Sequence, residues 1–168
     1  MKSIQDFNKK ALLGTLLAAA MVMGSTSVSA GTATQNLSVS ATVSASCVFG
    51  AAATLPFGTL SITDLATGKI ETTPASVKIT CSNTGTAAKL YAAVTRQMNG
   101  PLGGTLNYDV YTDSNHTNAL ASTSGAGAVS VTADGTEQTI TLYGKTAPGQ
   151  AAQPAGSYTQ NLLLTVEF

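Results

Sequence analysis

Only one histidine occurs among the 168 residues, together with two cysteines and eight acidic side chains. His116 lies in the polar segment Asp113-Ser114-Asn115-His116-Thr117. Neighbours along one loop rarely reach the geometry that a Ser-His-Asp triad requires. We therefore expect His116 to be a solvated loop residue.

Asp109 and Asp113 are the carboxylates that most suggest a calcium site. Their spacing is not that of an EF-hand loop. The run Gly125-Ala126-Gly127 does not follow a strand into a helix, as a phosphate-binding loop would. The sequence therefore predicts no enzyme, no cofactor, no bound metal and no small-molecule substrate.

The two cysteines carry the remaining chemistry. Cys47 and Cys81 lack both C-x-x-C spacing and nearby histidines, so a redox pair or a metal site is disfavoured. In an oxidising compartment an even pair is typical of a disulfide. A bridge that closes a loop of 34 residues would stabilise the fold by roughly 3–4 kcal/mol on the chain-entropy estimate.

The amino terminus has the three parts of a secretory signal peptide. Three lysines precede an apolar run from Ala11 to Met23, and the segment ends with Val28-Ser29-Ala30. Because this run is too short to span a bilayer, we expect cleavage after Ala30 rather than a permanent anchor. The secreted chain would be residues 31–168, a length that suits one domain.

The charges of that secreted chain argue against a polyanionic partner. Five basic and seven acidic side chains give a net charge of −2. Without a basic patch that could neutralise phosphates, nucleic-acid binding is not expected. Few charges, abundant small residues and no tryptophan favour an all-β extracytoplasmic protein.

The elements that would position these residues are strands. From Leu37 to Cys47, small apolar residues alternate with Ser and Thr, which is typical of a strand with one buried face. The stretch from Ala33 to Cys47 would span about 50 Å, whereas a domain of this size is about 35–40 Å across. We interpret its first part as projecting from the domain; the alternative is a disordered tail leading into an ordinary first strand.

The rest of the secreted chain consists of short alternating runs separated by turns. Ala75 to Cys81 alternates with Cys81 on the buried face, and Asp134-Gly135 indicates a hairpin between residues 129–131 and 138–143. Residues 112–128 resemble a surface loop, and no amphipathic helix is apparent. The last strand directs one set of side chains the same way: Tyr158, Leu162, Leu164, Val166 and Phe168. This pattern predicts a two-sheet sandwich of immunoglobulin type.

Several motifs, taken in order, resemble the spore coat protein U domain family, which includes the subunits of archaic chaperone–usher pili. The motifs are Val43-x-Ala45-x-Cys47, Phe57-Gly58, Val77-x-Ile79-x-Cys81, Leu106-x-Tyr108-x-Val110-Tyr111-x-Asp113, Tyr143-Gly144, Gln150 and Gly156-x-Tyr158-x-x-x-Leu162-x-Leu164-x-Val166-x-Phe168. Relatives often carry an aspartate where this chain has Gln160, and many have a tryptophan after the segment around Asp113.

The resemblance implies an incomplete immunoglobulin-like β-sandwich that lacks its last strand. A periplasmic pilus chaperone would first lend the missing strand. At the outer-membrane usher, the N-terminal extension of the next subunit would replace that strand, a form of β-augmentation. We assign residues 31–40 as the donor segment and residues 41–168 as the sandwich. The expected donor side chains are Ala33, Gln35, Leu37 and Val39, and the expected acceptor edge is the C-terminal set from Tyr158 to Phe168.

The resulting hypothesis is a structural pilus subunit that polymerises head to tail with copies of itself and serves surface adhesion or biofilm formation. It would pass through the periplasm to a cell-surface pilus. The alternative is a self-complete secreted sandwich that binds a sugar or a protein, or an outer-coat structural protein.

Overall fold

The computed structural model describes residues 30–168. The predicted signal peptide, apart from Ala30, lies outside the described residues. Within residues 30–168, no helix has both the length and the apolar character needed to cross a bilayer.

Short strands account for most of the regular structure from residue 41 onward. The strands are β1 (Cys47–Phe49), β2 (Ala75–Cys81), β3 (Ala88–Tyr91), β4 (Gln97–Asn99), β5 (Thr105–Tyr111), β6 (Val129–Val131), β7 (Glu137–Thr146) and β8 (Thr165–Glu167). The helical elements are α1 (Ile62–Thr67) and one 3-10 turn (Pro101–Gly103).

The strands form two antiparallel sheets, which confirms the predicted immunoglobulin-like sandwich. The first sheet has the order β1-β2-β7-β5-β4, and the second has the order β6-β3-β8. Strands that are neighbours in a sheet are often distant in sequence, as β2 and β7 are. Both sheets contribute to one core, which contains Ile79 from β2, Leu90 from β3 and Val131 from β6.

The alternation in β2 places its apolar side chains in the core, as the sequence predicts. Ala75, Val77, Ile79 and Cys81 are buried, whereas Ser76 and Lys78 are exposed. This strand pairs with β7, where Val77 lies opposite Ile140. A one-residue slip would turn the whole apolar set outward, so burial of this face fixes the register.

The Asp134-Gly135 step is a turn but not the turn of a hairpin, so that prediction was wrong. Gly135 has a φ of 83°, and Asp134 Oδ1 accepts a hydrogen bond from the Thr136 N–H. However, β6 pairs with β3 while β7 pairs with β2 and β5. The turn therefore carries the chain from one sheet to the other.

Helix α1 was not predicted, although its boundaries carry sequence signals. The Ser61 hydroxyl accepts from the Asp64 N–H, and the Asp64 carboxylate accepts from the Ser61 N–H, which together form a capping box. Gly68 follows the last helical residue with a φ of 83°, a conformation that favours glycine. Six residues are too few to display a helical period, so the sequence carries no periodic signal for this element.

Strand β1 is shorter than the strand predicted for residues 41–48. It begins at Cys47 and pairs only with β2, from Cys47–Cys81 to Phe49–Ile79. Ser46 adds two further contacts, because the Ser82 N–H donates to its carbonyl and its own N–H donates to the Ser82 hydroxyl. Residues 41–45 are exposed and without regular secondary structure.

Candidate functional site

The predicted disulfide between Cys47 and Cys81 is present. The two cysteines lie directly opposite each other in the β1–β2 register, with their Cα atoms 4.1 Å apart. The bond ties the first residue of β1 to the last residue of β2. It therefore fixes covalently the point at which the N-terminal part of the chain enters the sandwich.

An apolar groove of about 570 Å³ opens along the inner face of the five-stranded sheet. Its floor contains Val77 from β2, Val110 from β5 and Leu142 from β7. Protein interiors contain few voids larger than a water molecule, so an opening of this size over core side chains distinguishes this part of the sandwich.

The residues after β1 form one wall of the groove. Leu55 and Phe57 lie over Gly144 of β7, so closely that a Cβ on this glycine would stand 2.7 Å from Leu55 Cδ2. The glycine therefore lets this wall approach the sheet. The segment 50–57 is not part of either sheet, although the Thr72 N–H donates to the Pro56 carbonyl.

The C-terminal segment forms the other wall and changes sheets as it runs. At its start, Thr159 exchanges two backbone hydrogen bonds of 3.0 Å with Asn99 of β4. At its end, β8 pairs with β3 of the other sheet. Between these anchors, no backbone–backbone hydrogen bond of the residues 160–164 is found within the described chain. The main chain of this wall is consequently available for pairing.

The predicted acceptor residues are divided among four places. Leu162 and Leu164 line the groove, whereas Val166 packs against the core opposite Leu90. Tyr158 lies beside Gly100 and donates its hydroxyl proton to the Pro154 carbonyl at 2.6 Å. Phe168 is exposed. The apolar wall is therefore formed by the middle of the predicted set.

The apolar side chains of the predicted donor segment are exposed to solvent. Residues 31–40 have no regular secondary structure, and all are exposed, including Ala33 and Gln35. Leu37 is 86% exposed and Val39 is 83% exposed. Single exposed apolar residues are ordinary, but two at alternate positions give an extended segment one apolar face.

Gln160 is a site residue that the sequence reasoning did not assign. Its Oε1 accepts hydrogen bonds from the Gln97 N–H and the Tyr108 hydroxyl, and its Nε2 donates to the Thr95 carbonyl. Its position in the sequence could have indicated this role, because Gln160 is the polar member of the otherwise apolar alternating set from Tyr158 to Phe168. A polar side chain on such a face needs partners within the protein.

His116 is largely covered rather than solvated, so the expectation for this residue was wrong. Its side chain is 10% exposed, and its Nε2 lies 2.9 Å from Oε2 of Glu71, whose side chain is 5% exposed. A carboxylate only accepts hydrogen bonds, so Nε2 carries the proton. The imidazole ring also contacts Tyr111 and Tyr143 edge-on. These contacts give His116 a packing role.

Across residues 30–168, there is no set of three or more His, Cys, Asp or Glu side chains that could hold a metal ion. The candidate functional site is the groove with its two walls, one formed by residues 50–57 and the other by the C-terminal segment.

An immunoglobulin-like sandwich with an apolar groove beside its C-terminal strand is the class of fold that these observations define. The family model of the Spore Coat Protein U domain matches residues 33–165. The chain belongs to this family, as the sequence motifs predict. None of the curated proteins matches the chain.

Two of the solved structures to which this chain is similar come from pilus systems. One is the CsuC-CsuE chaperone–tip adhesion subunit pre-assembly complex from the archaic chaperone–usher Csu pili of Acinetobacter baumannii, with 21% identity and a TM-score of 0.48. That similarity covers 76% of this chain and 40% of that chain. A chaperone–usher pilus structure concerned with rod uncoiling has 19% identity and a TM-score of 0.42, over 90% of this chain and 99% of that one.

Proposed function

We propose that this protein is a structural subunit of an archaic chaperone–usher pilus and polymerises by donor-strand exchange. The observation that carries the proposal is the apolar groove whose C-terminal wall, residues 160–164, forms no backbone ladder within the described chain. An inserted strand would both cover the apolar floor and pair with this wall. Membership of the Spore Coat Protein U domain family supports the same role.

The donor in this proposal is the segment 31–40 of another copy. Leu37 and Val39 would enter the groove, with Ala33 and Gln35 as weaker members of the same face. Burying a leucine or a valine side chain contributes roughly 1.5–3 kcal/mol each, and the exposure of both residues leaves that free energy to be gained. Because donor and acceptor are different surfaces, the contact does not close on itself and propagates a fibre.

An uncovered groove is also a hazard for the free subunit. An apolar edge with unpaired main chain is a template for aggregation, so cover before assembly lowers that risk. A periplasmic chaperone would supply that cover with its own strand, a known mode of β-augmentation. Transfer at an outer-membrane usher would then place the subunit in a cell-surface pilus that serves adhesion or biofilm growth, as a structural component and not as an enzyme.

The test introduces charge on one face of the donor segment. In the double variant Leu37→Asp and Val39→Asp, two carboxylates would have to enter the groove unpaired, so we expect loss of fibres while chaperone binding survives. Fibres are scored by electron microscopy of cells, and chaperone binding by co-purification from the periplasm. Deleting residues 31–40 should have the same effect.

The matched control places the same charges on the opposite face of the same segment. Ser38→Asp with Ser40→Asp should still give fibres, because alternate residues of a strand point to opposite sides. If the Leu37 and Val39 variant assembles as well as this control, the donor assignment is wrong.

A further inference from the structure

Gln160 occupies the point where the C-terminal segment leaves the five-stranded sheet and begins to cross the groove. On one side of it, Thr159 is bonded to Asn99 of β4. On the other side lies the stretch 161–164, which forms no backbone hydrogen bonds within the described chain. The backbone pairs with a sheet again only at β8. In the described chain, the side chain of Gln160 is the polar tether of this stretch to the rest of the sandwich.

The geometry of this tether is fully determined by its partners. The Gln97 N–H is 2.8 Å from Oε1, and the Thr95 carbonyl is 2.6 Å from Nε2. Since a backbone N–H only donates and a carbonyl only accepts, the amide can be oriented in just one way. The Tyr108 hydroxyl supplies a second proton to Oε1 at 2.8 Å. One side chain therefore links the C-terminal wall to β5, to the first residue of β4 and to the segment before β4.

Tyr108 extends this link across the groove. Its hydroxyl bonds to Gln160 in the C-terminal wall, and its ring contacts Phe57 in the opposite wall edge-on, with centroids 5.8 Å apart. Burial raises the pKa of the Tyr108 hydroxyl, which therefore remains a donor at neutral pH. The chain of contacts from Gln160 through Tyr108 to Phe57 sets the separation of the two walls at this end.

We propose that Gln160 is a positioning residue that holds the groove open before the donor strand arrives. This inference rests on the proposed function. The apolar floor favours any movement of the C-terminal wall that would cover it, and the Gln160 tether opposes that movement. A binding site that is already in its bound geometry avoids the ordering cost on association. Once a donor is in place, its ladder bonds hold the same wall, so the tether matters less for dissociation.

The test measures association and dissociation separately. A synthetic peptide of residues 31–42 is immobilised, and the full secreted chain is applied as the receiver, with Leu37→Asp and Val39→Asp preventing donation by the receiver itself. In Gln160→Leu we expect the association rate to fall about tenfold, a change equivalent to the net contribution of one or two hydrogen bonds. We expect the dissociation rate to stay within about twofold.

Two further variants keep the test decisive if Gln160→Leu folds poorly. Gln160→Glu retains the acceptor for Gln97 and Tyr108 but loses the donor to Thr95, so its association rate should be intermediate. Tyr108→Phe removes one hydroxyl and keeps the ring against Phe57. It should slow association by itself and add nothing to Gln160→Leu.

The control is Gln153→Leu, which removes a hydrogen bond to the Thr105 N–H outside the groove and should leave both rates unchanged.

If Gln160→Leu associates as fast as the parent receiver, this inference is overturned while the proposed function stands. A dissociation rate that rises as much as the association rate falls would mean that Gln160 contacts the bound strand instead. If the parent receiver fails to bind the peptide, the proposed function fails and this inference with it.

Discussion

The carboxylate of Glu71 is held by two donors, His116 Nε2 and the Gly144 N–H, each 2.9 Å from Oε2. Burial by itself would raise the pKa of this carboxyl, but the two hydrogen bonds outweigh burial and hold the pKa below its usual value. The pair joins the segment before β2 to β7 and to the loop that contains His116. One charged group thus connects three parts of the sandwich.

The sign of this pKa shift predicts how stability depends on pH. A carboxyl whose pKa is lower in the folded state contributes stability above its unfolded value of 4.5. That contribution is lost as the pH falls through the lower folded value. We expect the free energy of unfolding to decline more steeply with acidification below about pH 5 in the parent chain than in Glu71→Gln. Denaturant titrations from pH 3 to pH 7 measure both slopes.

The exposed Glu167 provides the control for this titration. Glu167→Gln should follow the parent profile. Identical acid slopes for the parent and Glu71→Gln would show that the Glu71–His116 pair does not contribute to the pH dependence.

Leu120 is a buried residue in the long segment 112–128, and its contribution to stability can be tested with one substitution. Its side chain is 1% exposed, and its N–H donates to the Val110 carbonyl at 2.8 Å. Leu120→Ala would leave a cavity in the core, and we expect a loss of about 2–5 kcal/mol in the free energy of unfolding. Leu102, which is 95% exposed, is the control, because Leu102→Ala should change stability by no more than about 0.5 kcal/mol. Similar losses for the two variants in urea unfolding would contradict the assigned burial.

At the scale of elements, β1 is the strand most dependent on a covalent bond. It has three residues and pairs only with β2, which gives it few ladder bonds. The paired variant Cys47→Ser with Cys81→Ser should lose about 2–5 kcal/mol in the free energy of unfolding. Urea unfolding measures the loss. A reductant should reproduce it in the parent chain and have no effect on the variant; equal stability of variant and oxidised parent would contradict this role.

The sequence predicted β2 well because alternation is a local property, whereas β1 and β8 are much shorter than the alternating runs that contain them. The Ala75–Cys81 run specified both a strand and the face on which Cys81 lies, and the disulfide followed from two cysteines and the expected compartment. Pairing between strands is a long-range property, and the Asp134-Gly135 turn shows the difference. The turn could be identified from its residues, but the strands on its two sides belong to different sheets.

The same distinction explains which parts of the candidate site could be predicted. Leu162 and Leu164 followed from the apolar alternation of the C-terminal segment. The tether of Gln160 could not be predicted, because its partners lie 52 to 65 residues away along the chain. His116 was misjudged for a related reason: a polar loop carries no local sign that it will fold back onto Tyr111 and Tyr143.

At the scale of the whole molecule, the position of the disulfide determines how the protein would bear a mechanical load. A pull on the chain before Cys47 passes through the sulfur–sulfur bond to Cys81 at the end of β2, the strand that pairs with β7. The stretch from Cys47 to Cys81, a sequence separation of 34, is thereby excluded from extension, which withholds about 115 Å of contour length. Under tension, this stretch would not contribute to the lengthening of a fibre of such subunits, and β1 could not be peeled from β2 first.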